Sequence, residues 1–157
     1  MAQPRRVKKD ATASRSNEGR DLANGGDSSA AQAERLRLET LREYRILDTE
    51  PEPAFDRVTK LVADLFDAPI ALVSLVDECR QWFKSAHGLD ITETPRDVSF
   101  CQHVLADGQP LIVTDVVGDP RFRDNPLVTG EPHIRFFAGM PLRAYNGAIL
   151  GTLCLID

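Results

Sequence analysis

The stretch Pro69-Ile70-Ala71-Leu72-Val73-Ser74-Leu75-Val76-Asp77 decides the fold. It is short, rich in β-branched residues and almost wholly apolar between its two ends. A run of this length with no polar alternation is typical of a strand that is buried on both faces. The sequence therefore predicts a strand in the middle of a sheet.

Hairpin signals extend this strand into an antiparallel sheet. Asp77-Glu78-Cys79 predicts a tight turn, and the alternating stretch 80–85 then pairs back, with Gly88 closing the hairpin. Asn146-Gly147 is the dipeptide most typical of a two-residue hairpin turn. Further strands are predicted over 111–115, 137–143 and 148–156, and a loop with three prolines over 119–132. Hairpins with helices outside the sheet indicate an α+β fold around a central antiparallel β-sheet.

Three helices are predicted. Residues 34–47 carry a narrow apolar stripe, which suits either a coiled-coil seam or a helix lying on a domain. Thr49 and Glu52 have the spacing of a capping box that opens a second helix, running to about Phe66. The apolar residues of this second helix recur at helical spacing, which predicts one face packed on the core: Phe55, Val58, Leu61, Val62, Leu65 and Phe66.

Composition limits the class of protein. The net charge is −5, but residues 1–35 hold seven Lys/Arg against five Asp/Glu, so the body is acidic and unsuited to nucleic acid. Residues 1–33 have almost nothing apolar to bury and are expected to be disordered. No apolar run approaches the ~20 residues of a membrane span. Three cysteines without a CxxC pair suit a reducing compartment, so we expect a cytoplasmic protein that contacts no membrane.

The stretch 98–104 (VSFCQHV) sets a cysteine two residues from a histidine. Ser99 and Gln102 again have capping-box spacing, which predicts a helix over 96–107. Cys101 and His103 then point about 200° apart and cannot form one dyad or one metal corner. Cys101 is either a reactive thiol in a first helical turn or a small buried hydrophobe. His103 either pairs with Asp107 or is structural.

No catalytic constellation is evident, and nothing indicates a cofactor or a metal site. The sequence has no GxSxG, HExxH, Walker A or GxGxxG motif. We therefore expect a protein that is not an enzyme.

Six pieces of sequence, in order, resemble a bacterial GAF sensory domain over residues 36–157. They are Leu47-Asp48-Thr49, residues 71–77 (ALVSLVD), 80–85 (RQWFKS), 99–103 (SFCQH), 119–122 (DPRF) with 125–128 (NPLV), and 134–142 (IRFFAGMPL) with 150–157 (LGTLCLID). The subtype is similar to domains found upstream of histidine kinases and diguanylate cyclases. The attachment motif of bilin-binding members and the residue set of cyclic-nucleotide-binding members do not match.

The resemblance implies a six-stranded sheet with helices packed on one face and a ligand pocket, covered by loop and short helices, on the other. It assigns candidate wall residues to the pocket of an unknown small molecule: Trp82, Phe100, Cys101, His103, Asp115, Arg121, Phe122, Arg135 and Phe136. Arg121 and Arg135 would either clamp an anionic ligand or brace the loop through Asp119, Asp124 or Glu131.

The resemblance also implies an organisation. We expect a disordered tail over 1–33, a linker or dimerisation helix over 34–48, and a GAF domain over 49–157 that lacks its C-terminal helix, leaving part of one sheet face open. The expected function is sensing in signal transduction, of the two-component kind, through ligand binding or a helix-mediated homodimer, with a kinase or cyclase output module in a full-length protein.

Two competing functions stay open. One is a structural dimerisation module without a ligand. The other is a cysteine-based redox sensor or reductase, which needs Cys79 or Cys154 within disulfide reach of Cys101.

Overall fold

A computed structural model describes residues 24–157, with side chains from Ser28 onward. The disorder predicted for residues 1–23 lies outside this range. The elements are four α-helices, α1 (Asn24–Glu43), α2 (Pro53–Phe66), α3 (Cys101–Asp107) and α4 (Pro126–Thr129), and six strands, β1 (Ile70–Val76), β2 (Arg80–His87), β3 (Glu93–Pro95), β4 (Leu111–Val113), β5 (Phe137–Arg143) and β6 (Ile149–Ile156).

One antiparallel sheet organises the fold. Its strand order is β3-β2-β1-β6-β5-β4, so β1 lies inside the sheet and pairs with β2 and β6. All seven residues of β1 are buried. The predictions of a doubly buried central strand and of an α+β fold are confirmed.

The two faces of the sheet are covered differently. Because side chains alternate along a strand, Ile70, Leu72 and Val76 point to one face and Ala71 and Leu75 to the other. The first face packs against α3 and the chain between β4 and β5, and we call it the closed face. The other packs against α2 and the last turns of α1, and we call it the α2 face.

The first helix differs from its prediction at both ends. It begins at Asn24, within the segment expected to be disordered, and ends at Glu43 rather than at residue 47. The chain takes a left-handed conformation at Arg45, which stops the helix. Leu38 and Leu41 are buried, so of the two alternatives the stripe of α1 lies on its own domain.

The apolar stripe of α2 does not pack on the core as predicted. Val58, Leu61, Leu65 and Phe66 are 41%, 65%, 70% and 64% exposed, whereas the buried residues of this helix are Thr59 and Ala63. The stripe is centred about a third of a turn away from the side that contacts the sheet. Periodicity located the stripe correctly but not the side on which the sheet lies.

Polar contacts hold α2 in this orientation. The Thr59 hydroxyl lies 2.9 Å from the Ser85 hydroxyl on β2, and Ser85 donates to the Asp56 carboxylate at 2.7 Å. Lys84, whose side chain is fully buried, forms an ion pair with Glu52 at 2.7 Å. These bonds satisfy buried polar groups that would otherwise disfavour the interface.

Both predicted capping boxes are absent. Glu52 is the N-cap of α2 without a side-chain bond, because its carboxylate binds Lys84, which also donates to the Thr49 hydroxyl at 2.7 Å. The helix predicted from residue 96 begins at Cys101, after a 3₁₀ turn over Arg96–Val98. There Ser99 accepts from the Cys101 N–H at 3.1 Å, but Gln102 donates to the carbonyl of Asp97 instead.

Two short elements were not predicted. Strand β3 pairs with β2 at the sheet edge, where its proline needs no ladder partner. Helix α4 forms inside the segment expected to be loop, capped by the Asn125 side chain, which accepts from the Leu127 N–H at 2.9 Å.

Candidate functional site

A small cavity lies between the sheet and α3 on the closed face. Its volume is about 40 Å³, which holds a water-sized molecule, whereas pockets for organic ligands measure about 300–1,000 Å³. The walls are mostly apolar: Ile70, Leu72, Gln81, Phe83, Leu89, Ile91, Thr94, Ser99, Phe100, Cys101, Leu127, Pro132, Ile134, Phe137, Cys154 and Ile156.

Aromatic side chains fill the space beside this cavity. Phe100 stacks on Phe122 with ring centroids 4.3 Å apart, and Phe137 lies 5.1 Å from Phe100. His103 meets the edge of Phe122 at 4.9 Å. A larger ligand would therefore require these rings to move apart.

His103 is electrostatically set to be neutral. Partial burial lowers the pKa of His103 first, and the positive charge of Arg121 lowers it further. The charges of Asp107 and Asp119 act in the opposite direction and more weakly. The predicted partner Asp107 affects this pKa less than burial and Arg121 do, and the His103 ring packs against Phe122.

The two candidate arginines contact the protein itself. Arg121 forms an ion pair with Asp119 at 2.6 Å, lies 5.0 Å from the centre of the Phe122 ring, and lowers the pKa of Asp119 to about 2. Arg135 donates to the carbonyls of Val128 and Ile134, both at 3.0 Å. Arg121 therefore has one of the three predicted carboxylate partners, whereas Arg135 contacts the loop through backbone carbonyls.

Three predicted wall residues lie away from the cavity. Trp82 is buried on the α2 face with Leu75, its partner in the β1–β2 register. Phe136 packs on the α2 face as well. Asp115 is exposed beyond β4 and accepts from the Gly118 N–H at 3.0 Å. Of the nine candidates, Phe100 and Cys101 line the cavity, and His103 and Phe122 lie next to it.

Two hydroxyl groups lie against the Cys101 sulfur, which lines the cavity. Thr152 on β6 donates to this sulfur at 2.9 Å and Ser74 on β1 at 3.5 Å. The site analysis of the sequence missed both hydroxyls. The alternation of side chains along β1 and β6 could have identified them, since each is a polar residue at a position that points to the closed face.

A second cysteine, Cys154, lines the same cavity and is equally buried. Hydrogen bonding from its thiol is the largest cause that lowers the pKa of Cys101 to about 7. The hydroxyls of Ser74, Thr152 and Ser99 add to this and outweigh burial. The same interaction raises the pKa of Cys154.

Wider depressions are open to solvent. One, of about 660 Å³, surrounds the β1–β2 turn and includes Cys79 and Arg80; Arg80 is already bound by Asp48 and Glu93. Within residues 24–157, no group of three or more His, Cys, Asp or Glu side chains is placed to hold a metal ion. In the same range, no helix is both long and apolar enough to cross a membrane.

The six-stranded antiparallel sheet, with α1 and α2 on one face and the small cavity beneath α3 on the other, defines an α+β domain. The family model for the GAF domain matches residues 50–157. The chain belongs to the GAF domain family.

One relative has a described activity. The chain is 46% identical over 112 residues to a cyclic di-GMP phosphodiesterase of Pseudomonas aeruginosa. The match covers 71% of this chain but only 19% of the relative. The chain thus spans about a fifth of the length of that protein.

Solved structures share the fold at low identity. The GAF domain of an Acinetobacter phosphoenolpyruvate-protein phosphotransferase has a TM-score of 0.56 at 20% identity, covering 78% of this chain and 77% of that one. A free methionine-R-sulfoxide reductase of Neisseria meningitidis has a TM-score of 0.54 at 19% identity, covering 82% and 75%. At this identity the likeness concerns the fold alone.

Proposed function

We propose that the chain is a regulatory domain of a signal-transduction protein, working in cyclic di-GMP turnover and without catalysis of its own. It relays its state by association of two copies through the α2 face. The observation that carries this proposal is the exposed apolar stripe of α2.

The relation to the phosphodiesterase supports the regulatory role. A segment of 112 residues is 46% identical, yet it is a small part of a much longer protein. A GAF domain within such a chain has room beside it for a separate catalytic unit. The function of this chain would then be to modulate that unit.

The size of the cavity supports relay by association over binding of a large ligand. About 40 Å³ is far below the volume that a nucleotide requires. Phe100 and Phe122 are already stacked in the neighbouring space. The energy of separating these rings would oppose entry of such a ligand.

The α2 face has the composition of an interface. Besides the stripe of α2, Ile112 and Met140 are 66% and 55% exposed, and strand parity places them on the same side of the sheet as α2. Large exposed apolar surfaces mark contact sites, and these side chains share one side of the sheet.

Charge complementarity points to a second copy of the chain as the occupant. Apart from Asp56, which accepts from Ser85, the exposed charged residues in the first half of α2 are basic, Arg57 and Lys60, and those toward its end are acidic, Asp64 and Asp67. In a two-fold antiparallel pairing each half meets the opposite half of its copy. Lys60 and Asp64 already attract each other within one helix at 3.0 Å.

The test is the oligomeric state of the purified chain. We expect sedimentation equilibrium to show a dimer for the unmodified chain and a monomer for the double variant Leu61→Glu, Leu65→Glu. Leu36→Glu is the matched control, because Leu36 is an exposed leucine on α1, and it should stay dimeric. Circular dichroism should show that all three remain folded.

Two results would overturn the proposal. One is a monomer for the unmodified chain at every concentration. The other is a dimer that survives the double variant but dissociates with Leu36→Glu, which would assign association to α1.

A further inference from the structure

Two cysteines that are 53 positions apart in the sequence line the same cavity in the core. Cys101 is the first residue of α3, and Cys154 lies on β6, facing the same side of the sheet. Each is 1% exposed. The Cys154 thiol also lies 3.8 Å from the carbonyl oxygen of Leu72. Most buried cysteines act as small hydrophobes, so the polar surroundings of this pair need an explanation.

The surroundings of Cys101 favour a thiolate. Two hydroxyls donate to its sulfur, from Thr152 at 2.9 Å and Ser74 at 3.5 Å, and these hydroxyls lie 2.9 Å from each other. Hydrogen-bond donors stabilise a charged sulfur more than a neutral one. The lowered pKa of Cys101 makes its thiolate more populated near neutral pH than that of an ordinary thiol, while the raised pKa of Cys154 favours its protonated form.

The cavity brings a small reactant to both sulfurs. Cys101 and Cys154 both line it, and its volume of about 40 Å³ suits a molecule slightly larger than water. Ile91, another wall residue, is exposed, so the cavity extends toward the surface there. A thiolate beside a second thiol is typical of redox-sensing cysteine pairs, and because both sulfurs are buried, a reactant would have to reach them through this cavity.

We propose that Cys101 and Cys154 are a peroxide-oxidised pair that closes to an internal disulfide, with hydrogen peroxide or another small hydroperoxide as the oxidant. This chemistry lies beyond the proposed regulatory role and does not depend on association through the α2 face.

The oxidation proceeds in two balanced steps. The Cys101 thiolate attacks one peroxide oxygen, the O–O bond breaks, and the other oxygen leaves as water after taking up a proton, or as an alcohol from an alkyl hydroperoxide. Cys101 becomes a sulfenic acid. The sulfur of Cys154 then attacks Cys101, the S–O bond breaks, and the hydroxyl leaves as water with the proton of Cys154. An external dithiol then reduces the disulfide to two thiols by exchange and becomes a disulfide itself.

The third cysteine provides an internal control. Cys79 is exposed in the β1–β2 turn, away from both hydroxyl donors. Under the proposal it keeps a free thiol while the buried pair is oxidised. A surface thiol without activation is expected to react more slowly with peroxide.

The experiment treats the reduced, purified full chain with hydrogen peroxide near neutral pH and then alkylates it in denaturant. We expect intact mass spectrometry to show the loss of two hydrogen atoms and one alkylation, at Cys79, with peptide mapping linking Cys101 to Cys154. The Cys79→Ser variant should lose the same two hydrogens and take no alkyl group. Cys154→Ser should instead stop at the sulfenic acid, one oxygen heavier and trapped by dimedone.

A further variant tests the proposal with all three cysteines in place. Thr152→Val removes one hydroxyl donor, which should raise the pKa of Cys101 by about one unit and slow oxidation about tenfold below neutral pH. The difference in oxidation rate between Thr152→Val and the unmodified chain should narrow as the pH rises. The proposal is overturned if Cys101 and Cys154 stay reduced under peroxide that oxidises glutathione, or if oxidation begins at Cys79 and yields only intermolecular disulfides.

Discussion

The two faces of the sheet differ in how their apolar side chains are covered. The closed face excludes solvent with stacked aromatic rings, Phe100 on Phe122, over a cavity of about 40 Å³. The α2 face holds its helix through polar contacts of Thr59, Ser85 and Lys84 and leaves the apolar stripe of that helix in solvent. The closed face therefore completes a core, and the α2 face offers a surface.

This difference separates two kinds of apolar residue that a sequence does not distinguish. Phe122 and Phe66 are the same amino acid, yet the first is 1% and the second 64% exposed. One contributes to folding and the other is available for association. Substitutions matched in this way can confirm or refute the contrast between the faces.

The largest expected effect is at Phe122. Phe122→Ala removes the ring that stacks on Phe100 and contacts His103, and should reduce the free energy of unfolding by about 3–5 kcal/mol. Phe66→Ala should change it by less than about 0.5 kcal/mol in the monomer. Denaturant titration at low protein concentration compares the two. Equal losses would contradict the assignment of Phe66 to an open surface.

The next effect concerns the polar attachment of α2. Lys84→Met keeps a side chain of similar length but removes the bonds to Thr49, to the carbonyl of Glu50 and to Glu52. We expect a loss of about 2 kcal/mol in the free energy of unfolding. The control is Lys60→Met, because Lys60 is exposed on α2 itself. It should lower the free energy of unfolding by less than about 0.5 kcal/mol. If Lys84→Met left the free energy of unfolding unchanged, α2 would be held by apolar packing instead.

A pH-dependent effect is expected where α1 meets the domain. Arg37 and Arg96 bind the Glu34 carboxylate, each at 2.7 Å, and lower its pKa from 4.5 to about 2. This stabilisation is present above the unfolded pKa of 4.5 and is lost as the pH falls toward 2.

Glu34→Gln should therefore destabilise the chain at neutral pH by about 1–2 kcal/mol, allowing for solvent screening of a partly exposed group. The difference from the unmodified chain should shrink steadily below pH 4.5. Thermal unfolding followed across this pH range measures it. A difference that does not change with pH would show that the charge of Glu34 is unimportant.

The smallest effect is expected at Arg135, on the loop of the closed face. Arg135→Ala loses the bonds to the carbonyls of Val128 and Ile134 and should cost about 0.5–1 kcal/mol. Because these bonds brace the loop, we expect no change in the dimer. Loss of association with Arg135→Ala would instead give the closed face a direct role in the interface.

The sheet could be predicted because its strands carry their own signals. The apolar run of β1 and the Asn146-Gly147 turn before β6 are local features that leave few alternative pairings. The orientation of α2 could not be predicted, since it depends on Ser85 and Lys84 from a strand that follows it in sequence.

The candidate site was predicted in part for a similar reason. Phe136 and Phe137 are neighbours, and alternation sends only Phe137 to the cavity. Trp82 follows the same rule through its register with Leu75. The alternation of side chains along each strand could have excluded Trp82 and Phe136 from the cavity wall. The same rule could have identified Ser74 and Thr152 as residues on the cavity side. The length of the Arg121 and Arg135 side chains allows several partners, so sequence alone could not choose between a ligand and the loop.

The central claim is that the closed face is filled and the α2 face binds a second copy. A native mass spectrum of the purified chain tests both parts at once. We predict a dimer whose mass is that of two chains, without an added organic ligand. A monomer that carries a non-covalent mass of nucleotide size would contradict both parts, because it would require an open pocket beneath α3 and an unoccupied α2 face.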